Sequence, residues 1–276
     1  MALFPRRGFG RDRVTRLAEY PDEVDTLAVA EFHRRHPHPR LAELVVVIAA
    51  YNEAAGIGAV LAGIPKSCCG IPVDVLVVVD GATDPTAEIA DRHGAYTCVA
   101  PRNRGQGAAL RLGYRLAADC GARYVVTTDA DGQYDGSELA ELVRPLVEGR
   151  ADFVTGSRRL GRHESDSRLR WLGVRVFAML ASLLTWRRLT DTSFGFRAMR
   201  AELACTVPLV EPQYQSSELL LGIMARGARV LEVPMTMSRR SDGATKKGGD
   251  LVYGANYARV MLRTWCREYV LRGRRR

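Results

Sequence analysis

Leu44-Val45-Val46-Val47-Ile48-Ala49-Ala50 is an unbroken apolar run dominated by β-branched residues. A run without polar alternation predicts a strand covered on both faces, which only layers of helix above and below can supply. Val73 to Val79 and Tyr124 to Thr128 repeat the texture, with shorter runs at Tyr96 to Val99 and Phe153 to Gly156. Helical patterns lie between them: after Glu53 through Val60 and Leu61, from Thr86 to His93, from Asn103 to about Ala118, and from Gly136 to Glu148. Strands alternating with helices predict an α/β, doubly wound, mostly parallel sheet. Such sheets bind ligands in the crevice beyond their strands' carboxyl ends. Here those ends carry Tyr51-Asn52-Glu53, Asp80 and Asp129-Ala130-Asp131.

The last of these is the sharpest chemical signal. Two carboxylates one residue apart repel each other, and each needs water or a cation. Mg²⁺ and similar hard cations take oxygen ligands, often one or two carboxylates together with a substrate's phosphates. Asp129 and Asp131 at a strand exit therefore suggest a metal–diphosphate site. The formal net charge of +9 suits an anionic partner. Much of it lies at the ends, in Arg6-Arg7, Arg11, Arg13 and Arg16 and in Arg272 with Arg274 to Arg276. Those ends lack the interleaved aromatics of a nucleic-acid reader, so no nucleic-acid partner is expected.

Six cysteines show no metal-ligand spacing, and reduced thiols in a cytoplasmic protein are the expectation. Met1 to Arg7 lacks the apolar segment of a secretion signal. Residues 1–43 read as an extension or linker. The cluster His33 to Pro39 is taken as loop, since Pro37 and Pro39 break any regular face that would converge the imidazoles.

The motifs Val46 to Glu53 (VVIAAYNE), Val77 to Asp84 (VVVDGATD), Asn103 to Gly107 (NRGQG) and Asp129 to Gln133 (DADGQ) occur in order. Gly156-Ser157-Arg158, Asp191 to Ala198 (DTSFGFRA), Val233-Pro234 and Arg239 to Lys246 (RRSDGATK) follow. Across about residues 44–255 this series resembles a family 2 glycosyltransferase with the GT-A fold, a Rossmann-like nucleotide-sugar-binding architecture. It resembles the dolichol-phosphate mannose synthase branch, which includes polyprenyl-phosphate glucosyltransferases.

The resemblance implies an inverting transfer of a hexose from a GDP- or UDP-sugar. It assigns Tyr51, Glu53 and Asp80 to the base and ribose, with Ala49, Val78, Gly107 and Ala130 lining the same site. Asp129 and Asp131 would hold Mg²⁺ or Mn²⁺ against the diphosphate, with Gln133 beside them. Arg158, Arg240 and Lys246 would supply charge for phosphates, the last two from a basic loop. The chain departs from the family pattern at Val79, where an acidic residue is common. It departs again at Ala49 for proline, Gln106 for lysine, and Phe194 for a small residue.

Acceptor chemistry follows from the base. A hydroxyl is a weak nucleophile at neutral pH and needs deprotonation. Ser216-Ser217-Glu218-Leu219 offers one carboxylate where hydroxyl-using relatives carry a pair. A phosphate monoester, with its second pKa near ~6, is already largely ionised. A polyprenyl phosphate is thus favoured, with two alternatives: a soluble hydroxyl acceptor using Glu218 as base, and a non-catalytic nucleotide-sugar-binding module. Trp171 to Trp186, flanked by Arg170 and Arg187-Arg188, reads either as a helix lying in a membrane interface or as a core helix. Residues 256–276 continue a basic amphipathic helix from Tyr253, with a helix packed on the domain as the alternative. Together these suit peripheral attachment to the cytoplasmic face of a membrane. No feature specifies an oligomeric state.

Overall fold

The computed structural model describes residues 22–162, 168–238 and 250–271. Helix α1 (Glu23–Arg35) precedes β1 (Leu44–Ala50), α2 (Ile57–Gly63), β2 (Ser67–Cys68), β3 (Ile71–Asp80), α3 (Thr86–Arg92) and β4 (Tyr96–Ala100). Helix α4 (Gln106–Asp119), β5 (Tyr124–Asp129), α5 (Leu139–Val147), β6 (Phe153–Ser157) and α6 (Arg168–Thr185) follow. The chain then forms β7 (Arg197–Arg200), α7 (Ala201–Cys205), α8 (Gln215–Ala225), β8 (Val230–Pro234), α9 (Asp250–Trp265) and a π-helical turn (Cys266–Leu271).

The sheet runs β4-β3-β1-β5-β7-β6-β8. All neighbours are parallel except β7, which is antiparallel to β5 and β6; β2 adds a short antiparallel hairpin to β3. The expected α/β, mostly parallel architecture is therefore present. Strands β7 and β8 are short, and their residues show no apolar run that would announce them.

The strands' lack of alternation has its cause in two cores. Val45, Val47, Leu76 and Val78 face one, with α1, α4 and α8; Leu44, Val46, Ile48, Val77 and Val79 face the other, with α2 and α5. Strand β1 sits where the order reverses, with β3 on one side and β5 on the other. In register Ala49 lies between Val78 and Asp129, so the ends of these three strands open one crevice.

Residues 22–43 are more than the expected linker. Helix α1 buries Val24, Ala28 and Phe32 against the core beside β4. Asp22 caps it, accepting the Asp25 N–H at 2.9 Å. The helix continues through His33 and stops at Arg35, two residues before Pro37. No helix among the described residues is long and apolar enough to cross a membrane.

Asp152 ties three strands together at the far end of the sheet. It accepts from Arg229 Nε at 2.9 Å, from the Arg229 N–H at 3.1 Å and from Arg200 Nε at 3.3 Å. The Arg229 hydrogen bonds outweigh burial and hold its carboxyl down at about 2, below the usual 3.8. A depressed acid stabilises the fold above its unfolded pKa, and that stability is lost as pH falls towards the folded value. Both arginines are partly exposed, so Asp152→Asn is expected to cost about 1–2 kcal/mol at pH 7. The gap from wild type should close between about pH 4 and pH 2; urea titrations across that range check it.

Candidate active site

Asp129 is the last residue of β5 and Asp131 stands two beyond it, with Ala130 between them buried in the core. The strand ends at Asp129, and Ala130 and Asp131 begin the turn that Gly132 continues at φ 71°; Ala130 is buried beneath it while both aspartates stay partly exposed. Asp129 Oδ1 accepts from Gln106 Nε2 at 2.8 Å. Its other oxygen lies over the backbone of Gly195, where an added Cβ would sit 2.7 Å from Oδ2. The Gly195 N–H donates to Tyr134 Oη at 2.9 Å, and Tyr134 is wedged between Phe194 and Phe196 at ring separations of 4.9 and 5.8 Å. Burial pushes the Tyr134 phenol far up, so it stays protonated. Asp131 Oδ1 accepts the Gln133 N–H at 3.2 Å, closing the turn.

Gln133 pairs with Ser238 twice: its Nε2 donates to the Ser238 carbonyl at 3.2 Å and its carbonyl accepts the Ser238 N–H at 2.9 Å. The turn carrying the two carboxylates is thereby bonded to the chain just before the basic segment. Arg240 and Lys246, expected to serve phosphates from that segment, lie outside the described residues.

On the nucleoside side, Tyr51 is 38% exposed at the crevice end of β1. Asn52 adopts φ 52° and accepts from the Thr83 N–H at 2.8 Å. The Glu53 N–H donates to Thr86 Oγ1 at 3.0 Å and the Ala54 N–H to Asp84 Oδ2 at 3.0 Å, while Asp84 also receives the Thr86 hydroxyl. Asp84 and Thr86 thus lock the loop after β1 to the loop after β3. Asp84 closes the 77–84 motif and Thr86 begins the helix after it, but nothing in one sequence separates such a brace from a ligand contact.

Asp80 is 3% exposed, and burial raises its pKa. Oδ2 accepts the N–H groups of Arg104 and Gly105 at 2.7 and 2.8 Å. Oδ1 is buried without a hydrogen-bond partner among the described residues, with Arg104 Nε 3.5 Å away. One oxygen organises the 103–105 loop and the other has spare acceptor capacity. Arg104 itself reaches back to α1, to Asp22 at 3.0 Å and to the buried Asp25 at 2.5 Å.

Several expected contacts are corrected by their surroundings. Val78 pairs with Ala49 near the crevice end of β3, but its side chain is wholly buried against α4 and does not line the crevice. Gly107 spends its N–H on the Pro212 carbonyl at 3.2 Å, and a Cβ there would lie 2.1 Å from Glu211 O; it is a packing point. Arg158, 11% exposed, is bound by the buried Asp191 at 2.6 Å and by Ser193 at 3.0 Å, so much of its charge is already paired. Glu218 departs most from expectation. It is wholly buried, and its oxygens accept from the Val210 N–H at 2.9 Å, the Glu211 N–H at 3.0 Å and Arg267 Nη2 at 2.8 Å. A carboxylate committed to three donors inside the protein is an anchor for the 210–211 loop, not a base facing an acceptor.

The donor set fits a cation shared with a ligand. No group of three or more His, Cys, Asp or Glu converges among the described residues. Two carboxylates at a crevice mouth, one seated in a space that a Cβ at 195 would fill, match an ion completing its shell with diphosphate oxygens and water.

A mostly parallel sheet with paired carboxylates at its switch point defines a ligand-binding α/β fold with an acidic crevice. Residues 45–206 match the family described as "Glycosyl transferase family 2". A dolichyl-phosphate hexose transferase of Haloferax volcanii is 35% identical, the match covering 80% of this chain and 94% of that protein. An undecaprenyl-phosphate mannosyltransferase of Micrococcus luteus is 27% identical over 76% and 89% of the two chains. Among solved structures, glucosyl-3-phosphoglycerate synthase from Mycobacterium tuberculosis, in complex with Mn²⁺, UDP and phosphoglyceric acid, superposes with a TM-score of 0.64. It shares 20% identity, with 86% and 82% of the chains covered. Mannosyl-3-phosphoglycerate synthase from Rubrobacter xylanophilus gives a TM-score of 0.64 at 17% identity, covering 93% and 80%. The chain belongs to glycosyl transferase family 2 and is a nucleotide-sugar-dependent glycosyltransferase.

Proposed function

We propose that the enzyme transfers a hexose from a GDP- or UDP-sugar to a polyprenyl phosphate at a membrane surface, with inversion at the anomeric carbon. The observation that carries the lipid acceptor is the outer face of α6. Leu172, Val176, Met179, Leu183 and Trp186 recur at helical spacing and are 43–89% exposed, while Val174, Ala178 and Ala181 bury the opposite face. Trp265 Nε1, donating to the Leu184 carbonyl at 2.8 Å, and the Phe177–Tyr257 contact at 4.8 Å hold α6 on α9. An apolar stripe with tryptophans at its ends and the exposed Arg175, Arg187 and Arg188 around it suits the headgroup–acyl boundary.

Its placement fits transfer. The α6 excursion leaves at Ser157 and returns at Thr190, whose hydroxyls meet at 2.7 Å, and five residues later Gly195 lies on Asp129. The lipid-facing helix is therefore rooted beside the diphosphate end of the crevice. Within the crevice, Tyr51, Glu53 and Asp80 hold the nucleoside, the carboxylates accepting from base N–H groups and ribose hydroxyls. Asp129 and Asp131 hold Mg²⁺ or Mn²⁺, which would neutralise charge building on the departing nucleoside diphosphate. The acceptor's phosphate oxygen forms a bond to the anomeric carbon as that carbon's bond to the diphosphate breaks. An ionised phosphate requires no base, consistent with the burial of Glu218. Arg240 and Lys246 are assigned to the phosphates from their positions in the sequence motif.

Nucleoside diphosphate release from GDP-mannose, UDP-glucose and UDP-N-acetylglucosamine, measured with Mn²⁺ and vesicles of anionic lipid, tests this. Release is expected only when the vesicles carry polyprenyl phosphate. Met179→Glu with Leu183→Glu should abolish co-sedimentation with vesicles and leave nucleotide binding intact. Full turnover on a soluble hydroxyl acceptor, with none on the lipid phosphate, would sink the proposal.

A further inference from the structure

We propose that Gln106 is a positioning residue for the metal-binding carboxylate, setting the cation affinity of the site through its hydrogen bond to Asp129. The inference rests on the reading of Asp129 and Asp131 as cation ligands. Gln106 Nε2 lies 2.8 Å from Asp129 Oδ1, a direct side-chain bond across 23 residues. An ionised carboxylate offers about four lone-pair sites, and one amide donor consumes one of them. Oδ1 is fixed in direction and retains acceptor capacity for a cation, while Oδ2 is confined by Gly195 and Tyr134. The carboxylate is thus aimed from both sides before any ion arrives.

Gln106 is itself rigidly mounted. It opens α4 directly after Gly105, whose φ of 92° is open to glycine at little cost. Cβ atoms added at Gly105 and Gly107 would lie 2.5 Å from Pro212 O and 2.1 Å from Glu211 O, so the first turn of α4 rests flush on the 211–212 loop. The Gly107 N–H bonds the Pro212 carbonyl, and Glu218 holds the 210–211 amides with Arg267 behind it. A chain of contacts therefore runs from the carboxyl-terminal π-helical turn, through the Glu218 anchor, to the side chain that orients Asp129.

The residue type matters as much as the geometry. A neutral amide orients the carboxylate without adding charge. An ammonium at the same place would pair with Asp129 and oppose a divalent cation for the same oxygens. Glutamine therefore favours tight cation binding before the diphosphate contributes its own charge. Removing an outer hydrogen-bond partner of a metal ligand typically costs 10–100-fold in metal affinity.

The test is titration of Mn²⁺ by electron paramagnetic resonance, with and without UDP or GDP, in the full chain. Gln106→Met keeps the length and helix preference and removes the donor; Gln106→Lys adds the charge. Gln106 is exposed, so both variants are expected to keep the wild-type melting temperature. Gln106→Met should weaken Mn²⁺ binding about tenfold or more, with metal-free nucleotide affinity unchanged, and Gln106→Lys should weaken it further. Wild-type Mn²⁺ affinity in Gln106→Met would overturn the proposal, as would an equal loss of nucleotide binding without metal. Failure of the wild-type chain to bind Mn²⁺ would overturn this proposal together with the reading of the site beneath it; a normal wild type beside an unchanged variant would overturn this proposal alone.

Discussion

Replacing Gly195 with alanine is expected to lower turnover by about 10²-fold or more in a protein that still folds. The backbone there is not in the left-handed region, so alanine meets no conformational barrier; the obstacle is space. The new methyl would sit 2.7 Å from Asp129 Oδ2, 2.9 Å from Tyr134 Oη and 3.2 Å from Tyr134 Cε2. Tyr134 cannot retreat, being packed between two phenylalanines and bonded to the Gly195 N–H. The side chain free to move is Asp129, and moving it breaks the bond to Gln106 and turns the carboxylate away from its crevice position. Overpacking of this kind costs about 1–3 kcal/mol of stability, a modest effect beside the loss of catalysis. Steady-state kinetics, a Mn²⁺ titration and a melting curve on the same preparation check it. Wild-type turnover together with wild-type Mn²⁺ affinity would remove Asp129 from the site as described.

Glu218→Gln is expected to do the reverse: destabilise the protein by about 3 kcal/mol or more and leave turnover per folded molecule within about tenfold of wild type. The carboxylate receives two backbone N–H groups and one guanidinium with no exposure to water. An amide replaces one acceptor by an NH₂ group, which then faces a donor, and Arg267 loses its anionic partner. Breaking a buried pair from one side typically costs 3–5 kcal/mol. A general base would behave differently, its loss costing 10²–10⁴ in rate with little change in stability. Urea unfolding and initial rates measured well below the transition separate the two. Unchanged stability with a hundredfold slower rate would restore Glu218 as base and favour a hydroxyl acceptor.

The contrast between these residues shows what could be read from the chain. The position of Asp129 and Asp131 at the crevice was legible because the apolar run of β5 ends there, and the ordered motifs around the pair, not the pair alone, singled it out. Glu218 was misread because motif position reports which helix a residue occupies, not which way its side chain faces. Val78 and Gly107 failed likewise: each belongs to a motif, yet one faces the core and the other packs against a carbonyl. Helix α1 escaped because its anchors, Asp22 and Asp25 to Arg104 and Arg111, span more than seventy residues. Strand β7, only four residues long, is held by pairing on both edges and needs little apolar content of its own.

The sequence alone determined strands β1 and β3 to β6 with the helices between them, the crevice at their ends, the family and the carboxylate pair, because apolar periodicity and short motifs are local properties. Tertiary structure decided which polar groups are spent on the protein and which face a ligand. Burial, register and hydrogen-bond partners arise only when distant segments meet: Gln106 with Asp129, Gly195 beneath the same carboxylate, and Glu218 enclosed by Val210, Glu211 and Arg267.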